Sequence, residues 1–181
     1  ETLRLAALLH DLGKPATQAA GHFHGHEVVG ARLAAAWLRD LAVPRREAEP
    51  VEALVRWHMF HYEPGWSDAA VRRFIRRVGP PLVPRLLLLR RADAIGSGVD
   101  PALDPVAGLR ERVAAQLTAH VPLGLADLAL DGNDLRAELG LPPGPAMGRL
   151  LQRLLAAVLA DPARNTRERL LADARAWTAR P

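Results

Sequence analysis

A run of leucine and alanine near the start of the chain ends in a His-Asp pair. The residues before the pair are apolar on every side of a helix, which predicts a helix inside the protein. Gly13 can take the left-handed conformation that ends a helix and Pro15 cannot continue one, which places His10 and Asp11 in or just before the last turn. An imidazole and a carboxylate on so rigid a support are typical of a divalent metal site. An incidental polar pair at a helix end is the alternative.

Three histidines stand at alternate positions in the next loop. Because alternation sends neighbouring side chains to different sides, only one of them is expected to bind a metal. That one is His26, which falls in the first turn of a helix predicted to continue to about Leu41. His22 and His24 are expected to face solvent or substrate. The apolar positions expected to face inward on this helix are Val29, Leu33, Trp37 and Leu41.

His58 closes an apolar stripe on a helix predicted over residues 47–60. The apolar positions before it have helical spacing, which puts the imidazole on the buried face; they are Val51, Leu54 and Val55. A lone histidine there is usually a core residue, but together with His10-Asp11 it becomes a candidate ligand. His61, beside the helix end, is the second choice.

Asp93 ends a leucine stripe on a later predicted helix. The stripe is made of Leu82, Leu86 and Leu89. A carboxylate on an inward face is very costly unless a cation or a set of hydrogen bonds compensates it. Asp93 is therefore a candidate metal ligand, with a purely structural aspartate as the alternative. The adjacent Arg90 and Arg91 are expected to face elsewhere.

Composition limits the fold and the partners. Strand-forming residues are scarce in a chain rich in Leu, Ala and Arg, which predicts an all-α protein. Zero cysteines exclude disulfides and thiolate ligands. We see no apolar run of membrane-spanning length and no signal-peptide pattern, so we expect a cytoplasmic protein without a membrane partner. The net charge of +4 is carried almost wholly by arginine, which suits phosphate groups of nucleotides or RNA.

The densest basic cluster falls on a short helix predicted over residues 67–78. It is a candidate RNA-binding surface through contacts to phosphates. A solvated helix face is the alternative. The basic residues are Arg72, Arg73, Arg76 and Arg77.

The predicted organisation has three parts: a first domain over residues 1–98, a connector helix within 99–122 and a C-terminal helical module over 123–181. A Gly-Ser-Gly break at residues 96–98 suggests the first boundary. The chain opens directly in a helical pattern, so we expect it to be part of a longer protein. Nothing in the C-terminal module resembles an active site.

The order of the candidate ligands resembles the HD domain superfamily of metal-dependent phosphohydrolases. The residues that carry the resemblance are His10, Asp11, Gly13, Lys14, His26, His58 and Asp93. A closer resemblance, over nearly the whole chain, is to the HD domain and C-terminal helical region of bacterial tRNA nucleotidyltransferases and poly(A) polymerase-like proteins. It is carried by residues 5–15, 21–27, 54–59, 72–74, 91–94 and 131–145.

This resemblance implies one or two divalent cations, with Mn, Ni, Mg, Fe and Zn not distinguished. His10, Asp11 and Asp93 would hold one cation, together with an upstream histidine that has no counterpart in this chain. Asp11 would bridge to a second cation on His26 and His58. Asp11 and Lys14 are the implied catalytic residues, the lysine by reaching a phosphate oxygen.

The implied reaction is hydrolysis of phosphomonoesters or 2′,3′-cyclic phosphodiesters, on nucleotides or RNA ends. The alternative is a noncatalytic RNA-binding body. A nucleotidyltransferase head is expected upstream in the full protein, and without it this chain is not expected to polymerise nucleotides.

Overall fold

The computed structural model describes residues 1–179, and their regular secondary structure is helical. The only pairing of extended backbone among them is an isolated bridge between Ala19 and His22. The prediction of an all-α fold is therefore confirmed. The α-helices are α1 (Thr2–Leu9), α2 (Lys14–Thr17), α3 (His26–Asp40), α4 (Arg45–Trp57), α5 (Asp68–Val78), α6 (Val83–Gly96), α7 (Ala107–Thr118), α8 (Gly132–Leu139), α9 (Pro145–Ala160) and α10 (Arg167–Thr178).

The chain divides into two compact units. The first combines Glu1–Pro64 with Val78–Glu111, and the second combines Gly65–Arg77 with Arg112–Pro181. The division falls inside α7, and α5 belongs almost entirely to the second unit. The boundaries 1–98, 99–122 and 123–181 stay a prediction; residues 180 and 181 of that last module lie outside the described residues.

In the first unit, α4 packs against α1, α3 and α6. Its apolar stripe is completely buried, and His58 continues that stripe with 1 % of its surface exposed. The helix pattern of α4 thus places an imidazole in the interior, as the spacing predicts. The buried members of the stripe are Val51, Leu54 and Val55.

Helix α1 is buried on one side only. Ala6 and Leu9 are buried where α1 packs against α4 and α6, whereas Leu8 is 72 % exposed. The expectation of a helix buried all round is therefore wrong, because an apolar composition does not by itself supply neighbours for every face.

The buried face of α3 consists of small residues and one leucine, and the predicted inward stripe is wrong. Leu33, Trp37 and Leu41 are between 41 % and 56 % exposed. The small side chains lie on the inner face because they let the helix backbone approach its neighbours closely. After the buried His26 in the first turn, the buried positions are Gly30, Ala31, Ala34 and Leu38.

Gly13 explains this close approach. Its backbone is right-handed (φ −80°, ψ −14°), so the expected left-handed helix end is wrong. A Cβ at Gly13 would meet the backbone of α3, at 2.6 Å from the Gly30 nitrogen and closer still to the His26 carbonyl oxygen. Pro15 then lies in the first turn of α2, where its missing N–H costs nothing. Because Gly13 has no side chain, the segment that carries His10 and Asp11 can pack directly against the start of α3.

In the second unit, the core lies between α8, α9 and α10. Two of these helices, α8 and α10, begin at a side-chain cap. Asp131 accepts hydrogen bonds from the backbone N–H groups of Asn133 and Asp134 and begins α8, while the side chain of Thr166 caps α10. The apolar face of α9 supplies the largest part of this core, with Leu154, Leu155 and Val158 fully buried.

Replacing Gly13 by alanine should lower the free energy of unfolding by about 3 kcal/mol or more, since rigid backbone cannot yield as a side chain can. Gly96→Ala is the control, because a Cβ there meets nothing within 4 Å. Urea unfolding followed by circular dichroism measures both. Equal stability of the two variants would contradict the close Gly13–α3 contact.

Candidate metal centre

Three histidines of the first unit are held in the same way. In each, Nδ1 lies within hydrogen-bond distance of the backbone carbonyl oxygen three residues earlier. Because a carbonyl only accepts, we assign the proton to Nδ1, which leaves Nε2 as an acceptor or metal ligand. The pairs are His10–Ala7 at 2.8 Å, His26–Phe23 at 2.8 Å and His58–Val55 at 2.7 Å.

The free Nε2 atoms converge on Asp11. Oδ1 of Asp11 lies 3.4 Å from Nε2 of His26 and 3.9 Å from Nε2 of His58. Oδ2 of Asp11 lies 3.3 Å from Nε2 of His10. One ligand atom each from Asp11, His26 and His58 fall within 4.8 Å of one another. This cluster, called here the histidine–aspartate cluster, also receives Asp93 from α6, whose Oδ1 is 3.4 Å from Nε2 of His10.

The donor atoms of the cluster suit a divalent cation. With the protons on Nδ1, the 3.1 Å approach between the Nε2 atoms of His26 and His58 brings two acceptors face to face. Nε2 of His10 is buried and has no hydrogen-bond partner. Lone pairs that face one another without a donor need a cation or added protons between them. Imidazole nitrogen and carboxylate oxygen together are ligands for Mn, Fe, Ni or Zn ions.

Two pKa values in the cluster are displaced. Burial lowers the pKa of His58, and repulsion from His10 and His26 adds to this, against the hydrogen bond to the Val55 carbonyl and the attraction of Asp11, which both raise it. For Asp11, burial alone would raise the pKa, but the hydrogen bond from Lys14 and the nearby positive charges outweigh it and hold the pKa below its ordinary value. Both shifts favour a neutral imidazole beside an ionised carboxylate, which are the forms that bind metal.

The cluster opens onto a cleft of about 520 Å³. Asp11, His26 and Asp93 lie in its wall, and the cationic groups are Lys14 and Arg90. Nζ of Lys14 is 2.6 Å from Oδ2 of Asp11, so the ammonium group lies directly beside the cluster, and its catalytic role stays a prediction.

Arg90 is a functional candidate that the spacing of apolar residues does not reveal. Its Nη1 is 2.9 Å from Oδ2 of Asp93, so the expectation that Arg90 faces elsewhere is wrong. The i, i+3 spacing of Arg90 and Asp93 on one helix was the available signal. Arg91 does face away from the cluster, as expected, since its Nε approaches Asp104 at 3.7 Å.

The other histidines have separate positions. His22 and His24 are exposed at the cleft, with their rings stacked at a centroid distance of 5.3 Å. His61 is exposed and its Nε2 pairs with Glu63 at 3.0 Å. His22, Phe23 and His24 together give the cleft an aromatic rim.

The four arginines of α5 do not share one surface. Arg72 is buried and donates to the carbonyl oxygens of Leu159 and Ala160, at 2.7 and 3.0 Å, in the last turn of α9. The last carbonyl groups of a helix have no partner within that helix, and Arg72 supplies one for α9. Arg72 is therefore not part of the predicted RNA-binding surface. Arg76 is half-buried and donates to Gln152. Arg73 and Arg77 are exposed, and the phosphate-binding role stays a prediction for Arg73, Arg76 and Arg77.

Within the part of the chain that the structure describes, no helix combines the length and the apolar character needed to cross a bilayer.

Comparison with known proteins gives a family match and several relatives. The HD domain family model matches residues 1–97. The chain is 40 % identical over 161 residues to the CC-adding tRNA nucleotidyltransferase of Thermus thermophilus, covering 85 % of this chain and 35 % of that protein. It is 39 % identical over 162 residues to the A-adding tRNA nucleotidyltransferase of Deinococcus radiodurans, covering 84 % and 36 %.

A shorter similarity, 39 % over 64 residues, links the chain to the multifunctional CCA protein of Neisseria gonorrhoeae and covers 34 % of this chain and 16 % of that protein. No solved structure matches. The chain therefore spans about a third of the length of the two tRNA nucleotidyltransferases it matches.

The stability of the metal-free protein should fall as the pH drops below 6.5, the ordinary pKa of histidine. Since the folded-state pKa of His58 is lower, the unfolded chain takes up the proton more readily, and the stabilisation present above pH 6.5 is lost on acidification. Urea unfolding with a chelator, on both sides of that pH, measures the slope. His58→Gln should flatten it, and His61→Gln should not. The same slope in wild type and His58→Gln would contradict the burial effect.

Proposed function

Because the chain belongs to the HD domain family, we propose that the histidine–aspartate cluster is the centre of a metal-dependent phosphohydrolase that acts on phosphomonoesters or cyclic phosphodiesters, as found on nucleotides and RNA ends. One observation carries the proposal. Three imidazole Nε2 atoms and two carboxylates face a common space with no donor among them, and that space opens onto a cleft with a lysine in its wall.

Each residue of the cluster has a defined part in the proposal. His26, His58 and Asp11 would hold one divalent cation, and His10, Asp11 and Asp93 would hold the other. Bound cations would supply an activated water and positive charge for the phosphoryl oxygens during in-line attack. The carbonyl groups that accept from Nδ1 fix the direction of each imidazole and raise its basicity, as outer partners of metal ligands commonly do.

Lys14 would place a positive charge beside a non-bridging oxygen of the phosphate. Its ammonium group already contacts Asp11 at 2.6 Å, so it would lie next to a phosphate bound at the cluster without a large movement. Phe23 and the stacked His22–His24 pair would offer aromatic surface to a nucleobase at the rim of the cleft.

Metal-loaded protein should hydrolyse p-nitrophenyl phosphate, and Asp11→Asn should lose at least the roughly 10–100-fold in activity that loss of an outer partner of a metal ligand costs. The assay uses chelated protein reloaded with Mn, Ni, Mg, Fe or Zn, and the metal content of each sample is measured. His61→Ala is the control, because His61 pairs with Glu63 instead. Wild-type protein that binds metal but turns over no phosphate ester with any of these ions would contradict the phosphohydrolase proposal.

A second candidate function is a noncatalytic RNA-binding body. It is favoured by the similarity to tRNA nucleotidyltransferases, which covers 85 % of the chain and so extends beyond the HD domain match over residues 1–97. In this proposal the cytoplasmic protein binds tRNA, and a nucleotidyltransferase head upstream in the full protein acts on it. The exposed Arg73 and Arg77 on α5 are the candidate phosphate contacts.

For this second function, an Arg73→Gln/Arg77→Gln double variant should weaken tRNA binding and reduce the salt slope of log K by about 0.7–0.9 per lost phosphate contact. Arg72→Gln should instead lower the unfolding free energy by about 1–3 kcal/mol, since it leaves the carbonyl of the buried Leu159 without its partner and also removes the hydrogen bond to Ala160. Fluorescence anisotropy over a salt series and urea unfolding separate the two effects. A tRNA affinity that does not change with salt concentration would contradict the proposal that this chain binds RNA.

A further inference from the structure

We propose that Arg90 is a phosphate-binding residue and that, with Lys14, it makes the cleft selective for a dianionic terminal phosphate over a monoanionic phosphodiester. This inference rests on the proposed phosphohydrolase function and narrows its substrate class. The two cations come from different elements of the first unit, Lys14 from α2 and Arg90 from α6, and both lie in the wall of one cleft.

The contacts of Asp93 divide between its two oxygens. Oδ1 faces Nε2 of His10 at 3.4 Å, while Oδ2 accepts from Nη1 of Arg90 at 2.9 Å. In Asp11, Oδ1 faces His26, while Oδ2 accepts from Lys14 and also lies 3.3 Å from Nε2 of His10. Each carboxylate of the cluster therefore carries one cationic side chain directly beside the space in which a substrate phosphate would sit.

Arg90 has hydrogen-bonding capacity beyond Asp93. The side chain is 34 % exposed, and the contact with Asp93 uses one terminal nitrogen of a guanidinium that has five N–H donors. A planar fork of this kind binds two oxygens of one phosphate, which an ammonium group does not. Arg91 is the next residue on the same helix, but it approaches Asp104. Arg90 is therefore the arginine of α6 placed to meet an anion in the cleft.

The charge balance favours a dianion. Lys14 and Arg90 offset the two carboxylates of the cluster, and Glu27, a third carboxylate in the cleft wall, lies 3.9 Å from Nη1 of Arg56. With the imidazoles neutral, each bound divalent cation would therefore add two uncompensated positive charges to the cleft. A monoester phosphate has three non-bridging oxygens and a diester has two. Only the monoester can contact the metal centre and still offer separate oxygens to Lys14 and Arg90.

The test measures equilibrium binding of two probes to Mn²⁺-loaded protein by calorimetry in mildly alkaline buffer. Inorganic phosphate is the dianionic probe and dimethyl phosphate the monoanionic one. Wild type should bind phosphate more tightly. Arg90→Gln should weaken phosphate binding by about tenfold or more, as loss of a charged hydrogen bond does, and should reduce the preference over dimethyl phosphate. Arg90→Lys should retain part of the affinity. Arg85→Gln, an exposed arginine on the same helix, is the matched control.

Mn²⁺ affinity, measured on the same variants, separates phosphate binding from simple neutralisation of Asp93. Removing a cation that competes for Asp93 should leave Mn²⁺ binding equal or tighter. Unchanged phosphate affinity and preference in Arg90→Gln would overturn the inference, whatever its Mn²⁺ affinity. Arg90-dependent phosphate binding in a protein that hydrolyses no ester would support the phosphate site while the phosphohydrolase function fails. Equal hydrolysis and equal phosphate preference in wild type and Arg90→Gln would overturn the inference while that function stands.

Discussion

The close backbone contact between Gly13 and the start of α3 is the constraint on which the candidate centre depends. It brings the segment that carries His10 and Asp11 against the first turn of α3, where His26 lies. Helix α4 then closes the arrangement by packing on both α1 and α3 and by burying His58. The site is thus built at the ends of α1, α3 and α4, with Asp93 supplied by the last turn of α6, and the helix interiors supply the rigidity that a metal centre requires.

The polar groups of the cluster are arranged in two layers. Backbone carbonyls one turn earlier in the chain hold the Nδ1 atoms of three histidines, and these bonds leave only acceptors to face inward. On the solvent side, Lys14 and Arg90 pair with the carboxylates and keep the cluster from carrying a net negative charge. The interior is therefore suited to a cation and the mouth to an anion, a polarity that suits phosphate chemistry at a metal.

Much of this could be predicted from the sequence, and the failures have physical causes. Helical spacing and composition predicted the all-α fold and the burial of His58, because periodicity reports which side chains share a face. The same reasoning put the apolar stripe of Leu33 and Trp37 inward, whereas close packing at Gly13 selected the small residues of α3 instead. The positions of Arg72 and Arg90 depend on partners far along the chain or on side-chain direction, which spacing of apolar residues does not contain.

The hydrogen bonds of Arg72 also bear on the order in which the protein can assemble during synthesis. The guanidinium lies on α5, but the carbonyl groups that accept its hydrogen bonds belong to Leu159 and Ala160. These two residues follow Arg72 by 87 and 88 positions in the chain. Its apolar neighbours Val71 and Ile75 are fully buried in the finished fold. During synthesis the ribosome releases α5 well before α9. The apolar face of α5 therefore lacks its final partner while the intervening chain is made. Apolar surface exposed in this way makes a nascent chain prone to aggregation.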